Sequence, residues 1–258
     1  MNDQKNSFTL PVLNTVALTG VLTVNALANI LPINGMNTGE VSALYPSLFT
    51  PAGITFSIWS VIYLLLTGFV VLQWVQRNDP QITPLLQKIS PLFILSSVLN
   101  MSWIIAWHHL WVWTSVLIML GLLATLTVLF LHVQKASSLS TAQQWFIDIA
   151  FTVYLAWICV ATIANLATAL VAVSWDGFGV NPQYWTVAMM VVAAALASYI
   201  TLHYRKAAFA SVVIWALIGI LLRAQASEHS LIAVNAAELV LLLVIITVIT
   251  LVKQQRLS

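Results

Sequence analysis

Long runs of apolar residues, separated by short polar joints, extend along almost the whole chain. Eight runs are about 17 to 25 residues long, which is the length an α-helix needs to cross a hydrocarbon core of about 30 Å. They lie at roughly 9–31, 52–75, 90–109, 112–133, 146–173, 184–203, 208–223 and 231–252. The pattern predicts an all-α fold, a polytopic transmembrane helix bundle of about eight spans, with the lipid bilayer as its surroundings.

Basic residues are distributed unevenly between alternate joints. One side receives Lys5, Arg77, Lys88, Lys135, Arg205, Lys206, Lys253 and Arg256, and the other receives Arg223. Because cytoplasmic joints carry an excess of Lys and Arg, we expect both termini to be cytoplasmic in a plasma (inner) membrane. The longest joint, Pro32 to Thr50, should then face outward.

Composition supports a membrane protein and excludes several function classes. The chain is 61% apolar and 6% charged, about a quarter of the charge that is usual for a soluble domain. A net charge of +2 and the lack of a Lys/Arg run argue against nucleic acid as a partner. The single cysteine, Cys159, excludes an internal disulfide and a cysteine-cluster metal site.

Aromatic and amide side chains recur at helical spacing within the spans. Residues at i, i+3, i+7 and i+11 share one helix face. Such stripes comprise Phe56, Trp59 and Tyr63; Asn100, Trp103, Trp107 and Trp111; and Tyr154, Trp157, Ala161 and Asn165; Asn25 and Asn29 lie one turn apart in the first span. Since an amide facing lipid would cost several kcal/mol, these faces should be turned toward protein or a cavity.

Two interpretations of the stripes stay open. Taken singly, an Asn or Trp is typical of packing, because amides hydrogen-bond between helices and Trp anchors at interfaces. Taken together, three aromatic stripes, two of them with an Asn, favour a cavity that stacks flat apolar molecules and orients them by amide hydrogen bonds.

Three segments resemble a known family, and they read TPAGITFSIWSVIYLLL, LNMSWIIAW and YLAWICVATIANLA. They are similar to the second, third and fifth helices of the translocator protein family, also called tryptophan-rich sensory proteins (TspO/MBR). Their order and spacing fit too, with a long joint before the second span. The resemblance covers about residues 8 to 173 and implies a five-helix membrane domain at 1–173, followed by three additional transmembrane helices at 174–258.

The resemblance also implies a ligand and its site. Family membership implies that a cavity capped by the joint after the first helix, here around Gly35 to Phe49, binds porphyrins, sterols or other flat hydrophobic molecules. The positions that match family motifs are Trp59, Tyr63, Asn100, Trp103, Tyr154, Trp157 and Asn165, and the stripes add Asn25 and Trp107. Ile54 and Ala169 stand where many members have Trp residues implicated in light-driven porphyrin breakdown, so that activity is not expected here.

Ionisable residues inside the spans supply an alternative function. Glu238 lies about 10 Å into the last span, and intramembrane acids are functional candidates. It could couple a secondary transporter to protons, or it could be a structural acid paired with Arg223. Asp148, nearer the cytoplasmic interface, could pair with Lys135 or Lys88. His108 and His109 lack the motif or neighbouring acids of a metal site, so no metal is expected.

The sequence therefore predicts a non-enzymatic integral membrane protein that binds a porphyrin or a similar hydrophobic small molecule as a sensor or carrier. Its alternative is a proton-coupled secondary transporter that uses Glu238. No Ser-His-Asp set, phosphate-binding loop or dinucleotide motif is visible, and no cofactor is expected. The last three spans could form a dimer contact, since small residues such as those from Ala193 to Ala197 suit helix packing.

Overall fold

The computed structural model describes residues 3–31, 33–136 and 138–255, and these residues form helices and connecting turns without a strand. The helices are α1 (Asp3–Ile30), α2 (Thr38–Ala43), α3 (Ile58–Val75), α4 (Thr83–His108), α5 (Val112–Gln134), α6 (Thr141–Gln143), α7 (Ala150–Ala172), α8 (Pro182–Tyr204), α9 (Ala207–Ala226) and α10 (Ser230–Gln255). Short 3-10 turns cover Ile33–Gly35, Gly53–Ser57 and Gly177–Gly179, and a π-helical turn covers Gln144–Ile149.

Eight helical segments of the described chain are long and apolar enough to cross a membrane, which confirms the predicted fold class. The fifth runs unbroken from Thr141 to Ala172 through the π-helical turn. Arg256, Pro32 and the side chain of Lys5 lie outside the described residues. The cytoplasmic location of both termini stays a prediction.

Local sequence signals explain where several helices begin. The Asn181 side chain accepts a hydrogen bond from the backbone N–H of Gln183 at 2.9 Å, and Pro182 occupies the first position of α8. At the start of the fifth span, the Ser140 and Gln143 side chains bond reciprocally to each other's backbone N–H groups. Such caps satisfy N–H groups that have no partner within the helix.

The first of two compact units comprises Met1–Val41 and Trp59–Leu155. Within it, α1 packs on α4, and α4 packs on α5. Its core contains the rings of Phe69, Phe93 and Phe151, one each from α3, α4 and α7, with centroids 4.9 to 6.1 Å apart. Edge-to-face packing of this kind stabilises the bundle beyond the burial of apolar area.

A buried polar network joins three helices of the same unit. Asn14 on α1 donates hydrogen bonds to Gln73 Oε1 on α3 at 2.7 Å and to Ser90 Oγ on α4 at 2.8 Å. Gln73 also donates to Ser90 Oγ at 3.3 Å. Because lipid offers no hydrogen-bond partners, these bonds hold the three side chains together and fix the register of the three helices.

The second unit comprises Ser42–Ile58 and Ala156–Ser258. Here α9 packs on α8 and α10, and the 3-10 turn Gly53–Ser57 packs on α9. The backbone N–H of Ala52 donates to the carbonyl of Gly219 at 3.0 Å. Two side chains of α9 also bind this segment.

These two contacts come from the ends of long side chains. Trp215 Nε1 donates to the carbonyl of Thr55 at 2.8 Å, and Arg223 Nη1 donates to the carbonyl of Thr50 at 3.1 Å. The segment that precedes α3 is therefore held by a helix from the C-terminal third of the chain. The boundary at residue 173 between a five-helix domain and three additional helices stays a prediction. The contacts within the structure group residues 42–58 with the last helices.

We expect Gly219→Ala to destabilise the protein, because a Cβ at position 219 would meet Pro51 Cβ at 2.9 Å and Thr55 Cβ at 3.0 Å. Overpacking of this kind costs about 1 to 3 kcal/mol, more than the gain of about 1 kcal/mol from helix propensity. Gly121→Ala is the matched control, since its Cβ would make an ordinary contact with Leu99 at 3.8 Å. Thermal unfolding in detergent measures both; equal melting temperatures would contradict the close packing at Gly219.

Candidate functional site

Asn100 on α4 joins two other helices through its side-chain amide. Asn25 Nδ2 on α1 donates to Asn100 Oδ1 at 3.0 Å, and Asn100 Nδ2 donates to the Tyr154 hydroxyl on α7 at 3.2 Å. Asn100 and Tyr154 are both buried. Three of the residues predicted from the stripes thus form one hydrogen-bonded chain inside the first unit.

Two aromatic rings of α3 extend this chain. Trp59 meets Tyr154 edge to face at 6.1 Å between centroids, and it stacks on Tyr63 at 5.5 Å with an interplanar angle of 23°. Trp59 and Tyr63 are half-buried. The aromatic–amide cluster therefore consists of Asn25, Trp59, Tyr63, Asn100 and Tyr154, all predicted from the sequence.

The Tyr63 hydroxyl differs from the other polar groups of the cluster. It is buried, and it has no hydrogen-bond partner among the residues that the structure describes. Buried polar atoms in proteins are nearly always hydrogen-bonded, so an unsatisfied hydroxyl beside a stack of rings calls for an explanation. A bound molecule with a polar edge would supply the missing partner.

A second pair of predicted residues lies nearer the end of α4. Trp103 and Trp107 stack at 5.6 Å with an interplanar angle of 19°. Trp107 is buried, and its Nε1 donates to the carbonyl of Thr38 in the outer joint at 3.4 Å, a long hydrogen bond. This pair therefore links the stripe of α4 to the joint that was predicted to cap the cavity.

His108 fastens the same joint, and the sequence did not predict this role. The ring is fully buried; Nδ1 lies 3.2 Å from the Ile33 carbonyl and Nε2 lies 3.0 Å from Thr38 Oγ1. Since a carbonyl only accepts, Nδ1 donates to it, and Nε2 shares a hydrogen bond with the Thr38 hydroxyl. Asn34 also donates to the His108 carbonyl at 3.1 Å. One sequence signal pointed here: a histidine in the last turn of a span needs polar partners.

Trp157 and Asn165 belong to the second unit, and both are buried. The Trp157 ring meets Phe56 edge to face at 5.9 Å and 88°. Phe56 is the first member of the stripe predicted for the second span. Trp157 thus packs against an aromatic ring of the same unit, while its role in ligand binding stays a prediction.

Glu238 lies on an exposed face of α10. Val234, Leu241 and Leu242 on the same helix are exposed as well. Arg223, the basic residue considered as its partner, donates to the Thr50 carbonyl. Among the described residues, no group of three or more His, Cys, Asp or Glu side chains could hold a metal ion.

Comparison with known proteins gives one informative match. A family model described as TSPO-like protein matches residues 11–250. The match runs through α8, α9 and most of α10, beyond the region of about residues 8 to 173 in which the sequence motifs lie. The comparisons with curated proteins and with solved structures found no match.

We expect Asn100→Ala to lower the stability of the first unit by about 1 to 2 kcal/mol, because it removes two hydrogen bonds and leaves partners unsatisfied. Tyr154→Phe should cost less, and the double variant should cost less than the sum, because both changes remove the same bond. Ser102→Ala is the control, since Ser102 bonds only to a carbonyl of its own helix. Additive changes in the melting temperature would contradict the network.

Proposed function

The chain belongs to the TSPO-like protein family, and on that premise we propose that it binds a flat hydrophobic molecule, a porphyrin or similar tetrapyrrole, inside the membrane. It would act as a sensor or carrier of that molecule. The observation that carries the proposal is the aromatic–amide cluster of the first unit, with its unsatisfied Tyr63 hydroxyl.

Stacked rings give the cluster its preference for a flat ligand. Trp59 and Tyr63 are nearly parallel and half-buried, so a planar molecule could stack on the part of the rings that is exposed. Aromatic pairs in offset-stacked geometry contribute about 0.5 to 1.5 kcal/mol beyond the burial of their area. This favours a conjugated macrocycle over a flexible acyl chain.

Hydrogen bonds give the cluster a means of orienting its ligand. The amides of Asn25 and Asn100 and the hydroxyl of Tyr154 bond to one another, which holds these side chains in place. The Tyr63 hydroxyl is then the group available to a ligand, and it could donate to a carboxylate or carbonyl at the edge of the macrocycle. In surroundings of low dielectric constant such a bond is stronger than in water.

The outer joint is the proposed lid over this site. Its residues Ile33 to Thr38 are fastened to the end of α4 by the bonds to His108 and Trp107. These bonds are few and local, so they could break and re-form as a ligand enters. A lid held by a few hydrogen bonds suits reversible binding.

We propose that the aromatic–amide cluster binds its ligand without catalysing a reaction. The five members of the cluster are two amides, an indole and two phenols, and none of them is an acid or base that titrates near neutral pH. Such a set can stack and orient a ligand, but it lacks a nucleophile activated by a base.

The proposal is tested by titrating the detergent-purified full chain with protoporphyrin IX. Binding is followed by the Soret absorbance and by quenching of protein fluorescence. Saturable binding by the wild type is expected. Trp59→Ala should weaken it between about threefold and tenfold through lost stacking, and Tyr63→Phe should weaken it about fivefold through one lost hydrogen bond.

The control is Trp145→Ala, which removes one exposed Trp from the chain and leaves the cluster intact. Trp103→Ala and Trp157→Ala extend the series to the other positions that the family resemblance implies. Equal, nonsaturable signals from the wild type and the Trp59 and Tyr63 variants would mean that porphyrin only partitions into the micelle, and the proposal would fail.

Glu238 supports a second candidate function, a proton-coupled transporter. Its carboxyl group is exposed on α10 at a depth where charge is expensive, while Arg223 donates to a backbone carbonyl. Intramembrane acids are functional candidates, and a proton-coupled transporter requires a group of this kind.

For this second candidate, we expect proton-dependent uptake of a substrate into proteoliposomes that Glu238→Gln abolishes and Glu238→Asp partly retains. The measurement is uptake with and without an imposed pH gradient. Gradient-dependent uptake that persists in Glu238→Gln would exclude this residue as the coupling group.

A further inference from the structure

A cleft of about 220 Å³ lies where the start of α4 meets the end of α5 in the first unit. Its volume is about seven times the ~30 Å³ that a water molecule occupies in the liquid. The lining comprises Gln81, Ile82, Pro84, Leu85, Lys88, His132, Lys135, Ala136, Ser138 and Leu139. Basic, polar and apolar groups thus share one small cavity at a helix end.

The lining residues carry positive charge and include no Asp or Glu. Lys88 and Lys135 are exposed at the cleft. Two acids lie nearby in the sequence and accept hydrogen bonds from other groups: Asp79 accepts from the Gln81 backbone at 2.9 Å, and Asp148 accepts from the Gln134 side chain at 3.1 Å. Among its lining residues, the cleft therefore carries positive charge without a carboxylate.

Donors of the right kind surround the cavity. The ammonium groups of Lys88 and Lys135, the hydroxyl of Ser138 and the amide of Gln81 can all donate hydrogen bonds. Nδ1 of the His132 ring lies 2.8 Å from the Val128 carbonyl, so that nitrogen is engaged within its own helix. Several donors around a small cavity suit the oxygens of a phosphate group.

The excess of basic residues predicted for this side of the membrane does not by itself explain the cleft. Arg77, from the same predicted side, is engaged within the chain: Nη1 donates to the Trp74 carbonyl at 2.8 Å, and the guanidinium lies 5.1 Å from the Phe8 ring. Lys88 and Lys135 instead come from different helices and line the same cavity.

From this arrangement we propose that the cleft binds the phosphate group of an anionic phospholipid. Leu85, Ile82 and Leu139 give the cavity apolar walls beside its charges, which a lipid with its glycerol and acyl chains can use. Basic pockets between transmembrane helices on the cytoplasmic side are suited to anionic headgroups. A soluble phosphate would use the charges alone.

The site is separate from the aromatic–amide cluster. Lys88 and Asn100 are both on α4, and their positions, twelve residues apart, are separated by about 18 Å along the helix. A lipid in the cleft would hold the ends of α4 and α5 together without occupying the stacked rings. Failure of porphyrin binding would therefore leave this proposal intact.

Native mass spectrometry of the detergent-purified full chain tests the proposal, with titrations of dioleoylphosphatidylglycerol and dioleoylphosphatidylcholine. We expect the wild type to retain phosphatidylglycerol in preference to phosphatidylcholine. Lys88→Gln/Lys135→Gln should reduce its affinity for phosphatidylglycerol about thirtyfold, which corresponds to about 1 kcal/mol for each lysine.

The control variant is Lys206→Gln/Lys253→Gln, which removes two positive charges that do not line the cleft. It should keep the affinity of the wild type. An equal loss in both double variants would mean general charge attraction and would overturn the proposal. Thermal unfolding without added lipid checks that each variant is folded.

A second arm distinguishes a lipid from a soluble anion. Melting temperatures are compared in sodium phosphate and in sodium chloride of equal ionic strength. One outcome is that phosphate stabilises the wild type but not Lys88→Gln/Lys135→Gln, while the wild type shows no preference for phosphatidylglycerol. This outcome would assign the cleft to a soluble phosphate and overturn the lipid as its ligand. A response in neither arm would overturn the site itself.

Discussion

The bilayer offers no hydrogen-bond partners, so every polar group within a span must find one inside the protein. In the first unit this constraint produces two buried networks. Asn14, Gln73 and Ser90 bond to one another toward one end of the helices, and Asn25, Asn100 and Tyr154 do so further along. Apolar packing alone would allow the helices to slide, since lipid is as apolar as leucine. The amides select one register.

The Tyr63 hydroxyl is the informative case among the buried polar atoms that have no partner within the described part of the chain. It belongs to one of two stacked rings, beside a chain of hydrogen bonds that joins Asn25, Asn100 and Tyr154. The desolvation of that hydroxyl costs free energy which a bound ligand could recover. The proposed function therefore depends on a polar group that the fold does not satisfy, together with the family to which the chain belongs.

The two ends of α4 differ in chemistry. One end carries His108, buried and hydrogen-bonded to the outer joint, and the other carries Lys88 in a basic cleft. Hydrogen bonds of this kind are suited to a lid that opens and closes. Ammonium groups at a helix end are instead suited to the anionic headgroup of a lipid. Between them lie Asn100 and Trp103, so one helix contributes to both proposed sites and to the core.

The sequence by itself determined the class of fold and supplied the candidates from which the cluster is drawn, because span length and helical spacing are local properties. Eight apolar runs require eight helices in a bilayer, and Trp59 with Tyr63 must share a face.

Only the tertiary structure decided which faces meet. Asn14 and Asn25 are eleven residues apart, and this spacing places them on one face of α1. The spacing does not reveal that Asn14 bonds to Gln73 and Asn25 bonds to Asn100. Likewise, the contact of α9 with the segment before α3 joins positions about 160 residues apart, through the pairing of Trp215 with Thr55. Partner choice between helices depends on shape and hydrogen-bond geometry at close range, and a one-dimensional pattern does not carry that information.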